Sequence, residues 1–176
     1  RTKGKKLSEG KDETGDWEIV KGGTVTKDGG GYLLDAGQGE AFALHKLDRA
    51  VGKKITFELE YQSAVNTRTR NACLVLGAEP LNDKLWKVGS MIGMSSHGIF
   101  SGTWGNNSLG TIKRVPLDVD AKFKATVTID TVKKLLTLKV GKTEVVMQTP
   151  RDLGKIQYYG IYAKGTRTRF SPIAVK

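Results

Sequence analysis

The chain of 176 residues predicts an all-β sandwich in one domain. Three observations carry that expectation. From Lys122 to Gln148 the residues alternate apolar and polar with a period of two, broken by short turns. Glycine is abundant, at 22 residues, and spaced as turns between short apolar runs. No stretch carries the 3.6-residue apolar period of a surface helix. The whole reads as roughly twelve to fourteen strands.

Residues 1–15 are polar and charged and read as a flexible basic leader, with Leu7 a docking candidate. Residues 16–176 read as a single β-sandwich domain. Trp17 and Ile19 alternate with Glu18 and open the folded part, with Trp17 at the core edge. Gly22-Gly23 is a turn, Thr24 to Thr26 a short strand, and Asp28-Gly29-Gly30-Gly31 a loop. Tyr32 to Leu34 and Ala41 to Leu44 are short strands around Gly37-Gln38-Gly39. His45, at a strand end before Lys46, is expected on the surface.

Ile55, Phe57, Leu59 and Tyr61 alternate with Thr56, Glu58 and Glu60, a half-buried strand. Residues 63–71 are polar and include Arg68 and Arg70. Ala72 to Leu76 is apolar at every position and reads as a central strand, with Cys73 a small buried hydrophobe. Leu85 to Met94 and Gly98 to Trp104 read as a hairpin across Ser95-Ser96-His97. Thr111 to Val115 is brief and stops at Pro116. The three-strand meander from Lys122 to Gln148 follows, its second turn built on Gly141-Lys142, where positive φ is cheap for glycine. Ile156 to Lys164 and Thr166 to Val175 close the domain.

Net charge is +11, of which residues 1–11 supply +4 and the rest of the chain +7. The excess is therefore not confined to one tail. Such a surface favours anionic partners: sulfated or uronic-acid glycans, nucleic acid or anionic cell surfaces. Nucleic acid is the weaker candidate, since the Gly-aromatic signature of RNA-recognition sheets is missing. No apolar run approaches the roughly 20 residues of a membrane helix. Cys73 is the single cysteine, so no internal disulfide is expected. The chain starts at Arg1 without a signal-peptide pattern and reads as a processed or excised piece.

The run Trp17-Glu18-Ile19-Val20, Gly22-Gly23 and Asp28-Gly29-Gly30-Gly31-Tyr32-Leu33-Leu34 resembles the opening of concanavalin A-like (laminin-G-like) jelly-roll domains. Tyr159-Gly160-Ile161-Tyr162-Ala163 and then Arg169-Phe170-Ser171-Pro172-Ile173-Ala174-Val175 resembles their end. The resemblance covers most of residues 16–176. It implies two packed antiparallel sheets and, in many members, a carbohydrate-binding module attached to a secreted polysaccharide-degrading enzyme. It thus implies an extracellular or periplasmic setting within a larger multidomain protein. Many such domains have an acidic residue just after the closing phenylalanine, associated with a structural calcium. Here that position is Ser171, which speaks against that site, and no other cofactor is expected.

Few residues offer enzyme chemistry. Glu58 and Glu60 are the nearest match to the paired carboxylates of concanavalin-like hydrolases, but no third acidic residue follows in place, and they read as strand-face carboxylates facing lysines. Alginate-lyase-like jelly rolls use Arg, Gln, His and Tyr. Arg68 or Arg70, His97, Gln157 and Tyr159 supply those types without the local motifs, so His97, Gln157 and Tyr159 are the catalytic candidates should the chain be an enzyme. His45, His97 and Cys73 lack the spacing of metal ligands.

Binding candidates are clearer. A ring against a pyranose face, with planar polar groups for its hydroxyls, would come from Trp86 or Trp104, with Asn106 and His97. Thr67-Arg68-Thr69-Arg70 and Thr166-Arg167-Thr168-Arg169 each hold two arginines two apart, so both project to one side of an extended chain. If Phe170 is core, Arg167 and Arg169 face out. Arginine forks suit sulfate and carboxylate. The sequence therefore points to a non-catalytic carbohydrate-binding module for an acidic or sulfated polysaccharide. A polysaccharide lyase or glycoside hydrolase, and a structural or protein-interaction domain, are the alternatives.

Overall fold

The computed structural model describes residues 7–63, 71–77, 89–95, 98–103, 110–113, 122–148, 156–165 and 167–176. The strands in chain order begin with β1 (Lys11–Asp12), β2 (Ile19–Lys21), β3 (Thr24–Asp28), β4 (Gly31–Asp35) and β5 (Glu40–Lys46). Next come β6 (Lys54–Ser63), β7 (Asn71–Gly77), β8 (Gly89–Ser95), β9 (Gly98–Thr103) and β10 (Gly110–Lys113). The meander is β11 (Phe123–Asp130), β12 (Leu135–Val140) and β13 (Thr143–Gln148), and the end is β14 (Tyr158–Lys164), β15 (Arg167–Phe170) and β16 (Ala174–Val175). No helix occurs among the described residues.

Two sheets form. The nine-stranded sheet runs β1-β3-β4-β15-β6-β11-β12-β13, with β16 also beside β6. The seven-stranded sheet runs β10-β9-β8-β7-β14-β5-β2. Only the β1–β3 pair is parallel among the described strands. The meander stands as the alternation predicts. Val127 lies between Phe57 and Leu138, and Ile129 between Ile55 and Leu136. All six are closed to solvent and line the inner face. Gly141 takes φ 57° at the first position of a two-residue turn, where a side chain would be strained.

The seven-stranded sheet presents Ala43, Leu74, Leu76, Ile161 and Ala163 to the same core. At its centre the opposite-parity residues do not reach water either, while Lys46 and Lys164 at the strand ends are exposed. Phe42, Leu44, Val75 and Tyr162 are at most 2% exposed, yet none belongs to the cluster between the sheets. Gly160 is fixed by a close approach on this sheet: a Cβ there would fall 1.9 Å from the Ala43 carbonyl oxygen.

Two expectations change. The stretch read as a flexible leader over residues 1–15 is, from Ser8 to Glu13, part of a sheet edge. Gly10 N donates to Val20 O, Lys11 N to Gly23 O and Glu13 N to Val25 O. Edge pairing needs backbone groups alone, so polar side chains do not forbid it. The turn after Gly10 is closed by Asp12, whose Oδ1 accepts the Thr14 amide and hydroxyl and the Gly15 amide, while Oδ2 accepts the Trp17 amide. Burial raises the Asp12 carboxyl, but those hydrogen bonds outweigh it and hold it below its ordinary range.

His45 is the second change. It shares the parity of Ala41 and Ala43 and so turns inward, stacking on Trp17 with ring centroids 3.9 Å apart. Trp17 is 7% exposed, at the core edge as expected.

Candidate functional site

The register gives the sandwich two ends. Tyr158, Lys46, Gly77 and Gly89 share one end, and Lys164, Glu40, Asn71 and Ser95 share the other. The link from Lys46 to Lys54 puts the start of β6 at the Tyr158 end. The short link from Lys164 puts Arg167 at the Lys164 end.

On β15 burial alternates strictly: Thr168 and Phe170 are inside, Arg167 and Arg169 outside. Both arginines therefore lie on the outer face of the nine-stranded sheet. Arg167 stands opposite Asp35, and Arg169 lies between Leu33 and Gln62. Arg169 Nε donates to Asp28 Oδ2 at 2.7 Å, with both side chains substantially exposed. An exposed pair of this kind contributes about 1 kcal/mol or less. It can yield to another anion.

Trp86, Trp104, Asn106, His97, Arg68 and Arg70 lie outside the described residues.

Among the catalytic candidates, Tyr159 sits on a rung with His45, Leu76 and, through Leu76, Ser90. Tyr159 is half-buried, its ring 5.5 Å from Phe57 and 5.4 Å from His45. Burial, helped by the Asp48 charge, raises its phenol above the ordinary value. Gln157 is exposed, and its carbonyl accepts the Leu47 amide at 2.7 Å. The hydrolase-like carboxylates are engaged by lysines, Glu58 with Lys176 at 2.9 Å and Glu60 with Lys122 at 3.9 Å. The Lys176 hydrogen bond is the main reason Glu58 titrates low.

One constellation was not anticipated. Asp16 Oδ2 accepts the Tyr32 hydroxyl at 2.8 Å and the Lys27 ammonium at 2.5 Å. Lys27 is the larger cause of the lowered Asp16 carboxyl, and burial first, then Asp16, pushes Tyr32 up to about 12. Tyr32 meets Trp17 edge-on at 5.0 Å. Burial lowers the His45 imidazole, partly offset by Asp16, Glu18 and Asp12. Trp17 Nε1 is buried without a hydrogen-bond partner, at a cost of about 1–3 kcal/mol. Trp17 spaced from Tyr32 in sequence gives no hint of this contact; only strand parity around His45 could have done so.

The residue after the closing phenylalanine does not suit calcium. Ser171 Oγ accepts the Glu60 amide at 2.8 Å and donates to Pro172 O at 3.0 Å. Its oxygen serves to fasten β16 beside β6. Among the described residues no three His, Cys, Asp or Glu side chains gather as a metal site.

Sheet order, inner-face packing and strand lengths define a concanavalin A-like jelly roll. A mutant form of the Emp46p carbohydrate recognition domain aligns with a TM-score of 0.63 at 12% identity, over 86% of this chain and 84% of that one. The metal-free lectin I-B4 from Griffonia simplicifolia aligns at 0.60 and 10% identity, over 86% and 89%. A Trypanosoma rangeli sialidase in complex with sialic acid aligns at 0.58 and 11% identity, over 89% of this chain but 27% of that chain. At such identities the likeness is one of fold. No protein-family model matches the chain, and no curated sequence does.

Proposed function

We propose that the chain is a non-catalytic carbohydrate-binding module for an acidic or sulfated polysaccharide. The observation that carries this is the outward pair Arg167 and Arg169 on a flat strand face of a sandwich whose fold lectins share. Two guanidinium forks on one side of an extended chain match anionic groups repeated along a polymer. Arg68 and Arg70 would add charge. Trp86 or Trp104 would stack on a sugar ring, with Asn106 and His97 on hydroxyls. The module would act as part of a larger secreted protein, in an extracellular or periplasmic setting.

The lyase or hydrolase alternative takes support from the sialidase among the structures of similar fold. It would use His97, Gln157 and Tyr159. The raised Tyr159 phenol and its half-buried ring favour packing over proton transfer. The structural or protein-interaction alternative predicts no sugar affinity.

Titration calorimetry with polygalacturonate and dextran sulfate tests the proposal. The parent chain is expected to bind at least one, and the double variant Arg167→Gln/Arg169→Gln to bind it about tenfold more weakly at low salt. Unchanged affinity in that variant would remove the arginines from the site. No heat with either polymer would overturn the binding reading.

A further inference from the structure

At the Tyr158 end two turns are joined. Thr131 N donates to Lys53 O at 3.0 Å, and Thr131 Oγ1 lies 2.8 Å from Gly52 O and 3.1 Å from Lys53 O. The joined turns carry Lys53, Lys54, Lys133 and Lys134, all exposed. None of the four has an ion pair among the described residues, whereas Lys11, Lys122, Lys164 and Lys176 each reach a carboxylate. The reason is local. Asp130 faces Lys54 in register, but its Oδ1 accepts the Val132 amide at 3.0 Å and the Lys133 amide at 2.8 Å. The carboxylate closes the turn and leaves the lysines to solvent.

A second, independent observation concerns the backbone. Eight described residues have positive φ, and seven are glycine. The eighth is Lys134, at φ 55°. Glycine would adopt that conformation without strain, and asparagine with little. Holding a lysine there, exposed and unpaired beside three others, keeps a cation at a backbone cost, and such outliers concentrate at functional positions.

We infer that Lys53, Lys54, Lys133 and Lys134 form a second anion-binding site for sulfated or uronic polysaccharide, at the opposite end of the nine-stranded sheet from Arg167. The inference rests on the anionic-polysaccharide reading and extends it. Ammonium groups act as point charges without the directional fork of arginine, so this end supplies diffuse attraction and the arginine end supplies orientation. Lys54 and Ser63 bound β6, about 30 Å apart at about 3.3 Å per residue, a span that a polymer bridges and a single sugar does not. Two weak sites on one chain then bind by avidity.

The test is electrophoresis of the full chain through gels holding dextran sulfate, polygalacturonate or neutral dextran. Three variants accompany it: the fourfold Lys53, Lys54, Lys133 and Lys134→Gln; a charge-matched fourfold Lys11, Lys122, Lys164 and Lys176→Gln; and Lys134→Gly. Expected are retardation of the parent by an anionic gel and an apparent affinity about tenfold lower in the first variant, shrinking as salt rises. The charge-matched variant is expected to lose much less. Lys134→Gly should melt higher than the parent and yet be retarded less, which separates function from folding. Equal losses in the two fourfold variants, or no loss in the first, would overturn the site and leave the anionic-polysaccharide reading standing. No retardation of the parent in any gel would overturn that reading, and the site with it. The same holds if the parent binds phosphatidylserine vesicles but neither polysaccharide.

Discussion

On the nine-stranded sheet the outward positions of β6, β11 and β12 are polar or charged apart from the half-buried Leu135; Thr56 and Thr128 hydrogen-bond across strands at 3.1 Å. On the seven-stranded sheet the central outward positions of β5, β7 and β14 include Phe42, Leu44, Val75 and Tyr162, as closed to water as the core itself. One sheet thus has a dry face and a wet face, and the other is dry on both across its centre. Where charge can be displayed follows from that difference. Arg167, Arg169 and the four lysines of the Tyr158 end all belong to the nine-stranded sheet or to its turns. The proposed recognition surface is therefore charged strand face and turn, and the buried outward cluster serves the fold.

The strongest way to break the comparison is to put charge on both outer faces. Leu44→Lys is expected to abolish cooperative folding, since an unpaired buried charge has no compensation. Thr126→Lys should stay within about 0.5 kcal/mol of the parent. Phe42→Ala should cost about 3–5 kcal/mol, the same as Phe57→Ala in the inner core. Denaturant unfolding followed by circular dichroism measures all four, and a loss at Phe42 far smaller than at Phe57 would contradict a dry outer centre. A smaller effect sharpens it. Gly160→Ala should cost about 1–3 kcal/mol because the new methyl meets the Ala43 carbonyl, while Gly30→Ala, with open space around it, should be nearly neutral.

The inward aromatic seam gives a pH-dependent effect smaller again. Burial holds His45 below its unfolded value of about 6.5, so the unfolded state takes up the proton more readily. Stability from this group is complete above that value and declines as pH falls from about 6.5 toward the lowered folded value. Thermal melts between about pH 7.5 and 5.5 should drop for the parent and stay flatter for His45→Phe. An equal slope in both would remove His45 as the cause. The least effect belongs to the charged face: Arg169→Gln should change stability by about 1 kcal/mol or less while weakening anionic polysaccharide binding.

The same contrast explains what was legible in the residues. Alternation at Ile55 to Tyr61 and through the meander declares one wet face, and those strands and their dry faces are readable; which strand of the meander lies beside Ile55 to Tyr61 is not. In Ala41-Phe42-Ala43-Leu44 every position is buried, so parity carries no signal, and the inward turn of His45 onto Trp17 could not be read. The strand at Lys11–Asp12 leaves no mark in its side chains, because an edge is held by backbone groups. The outward parity of Arg167 and Arg169 was readable from Phe170 beside them, but the Asp28 partner, remote in sequence, was not. The lysine doublets at 53–54 and 133–134 are visible in the chain; that Thr131 joins their turns, and that Lys134 is left-handed, is visible only in three dimensions.

The most direct measurement of the binding claim is affinity electrophoresis of the unmodified chain against neutral, uronic and sulfated polysaccharides at low and moderate salt, with product release followed in the same samples. Retardation by an anionic polysaccharide that weakens with salt, with no shorter products, is the predicted result. Release of shorter products would make the chain an enzyme, and migration unaffected by every polysaccharide would contradict a carbohydrate-binding role.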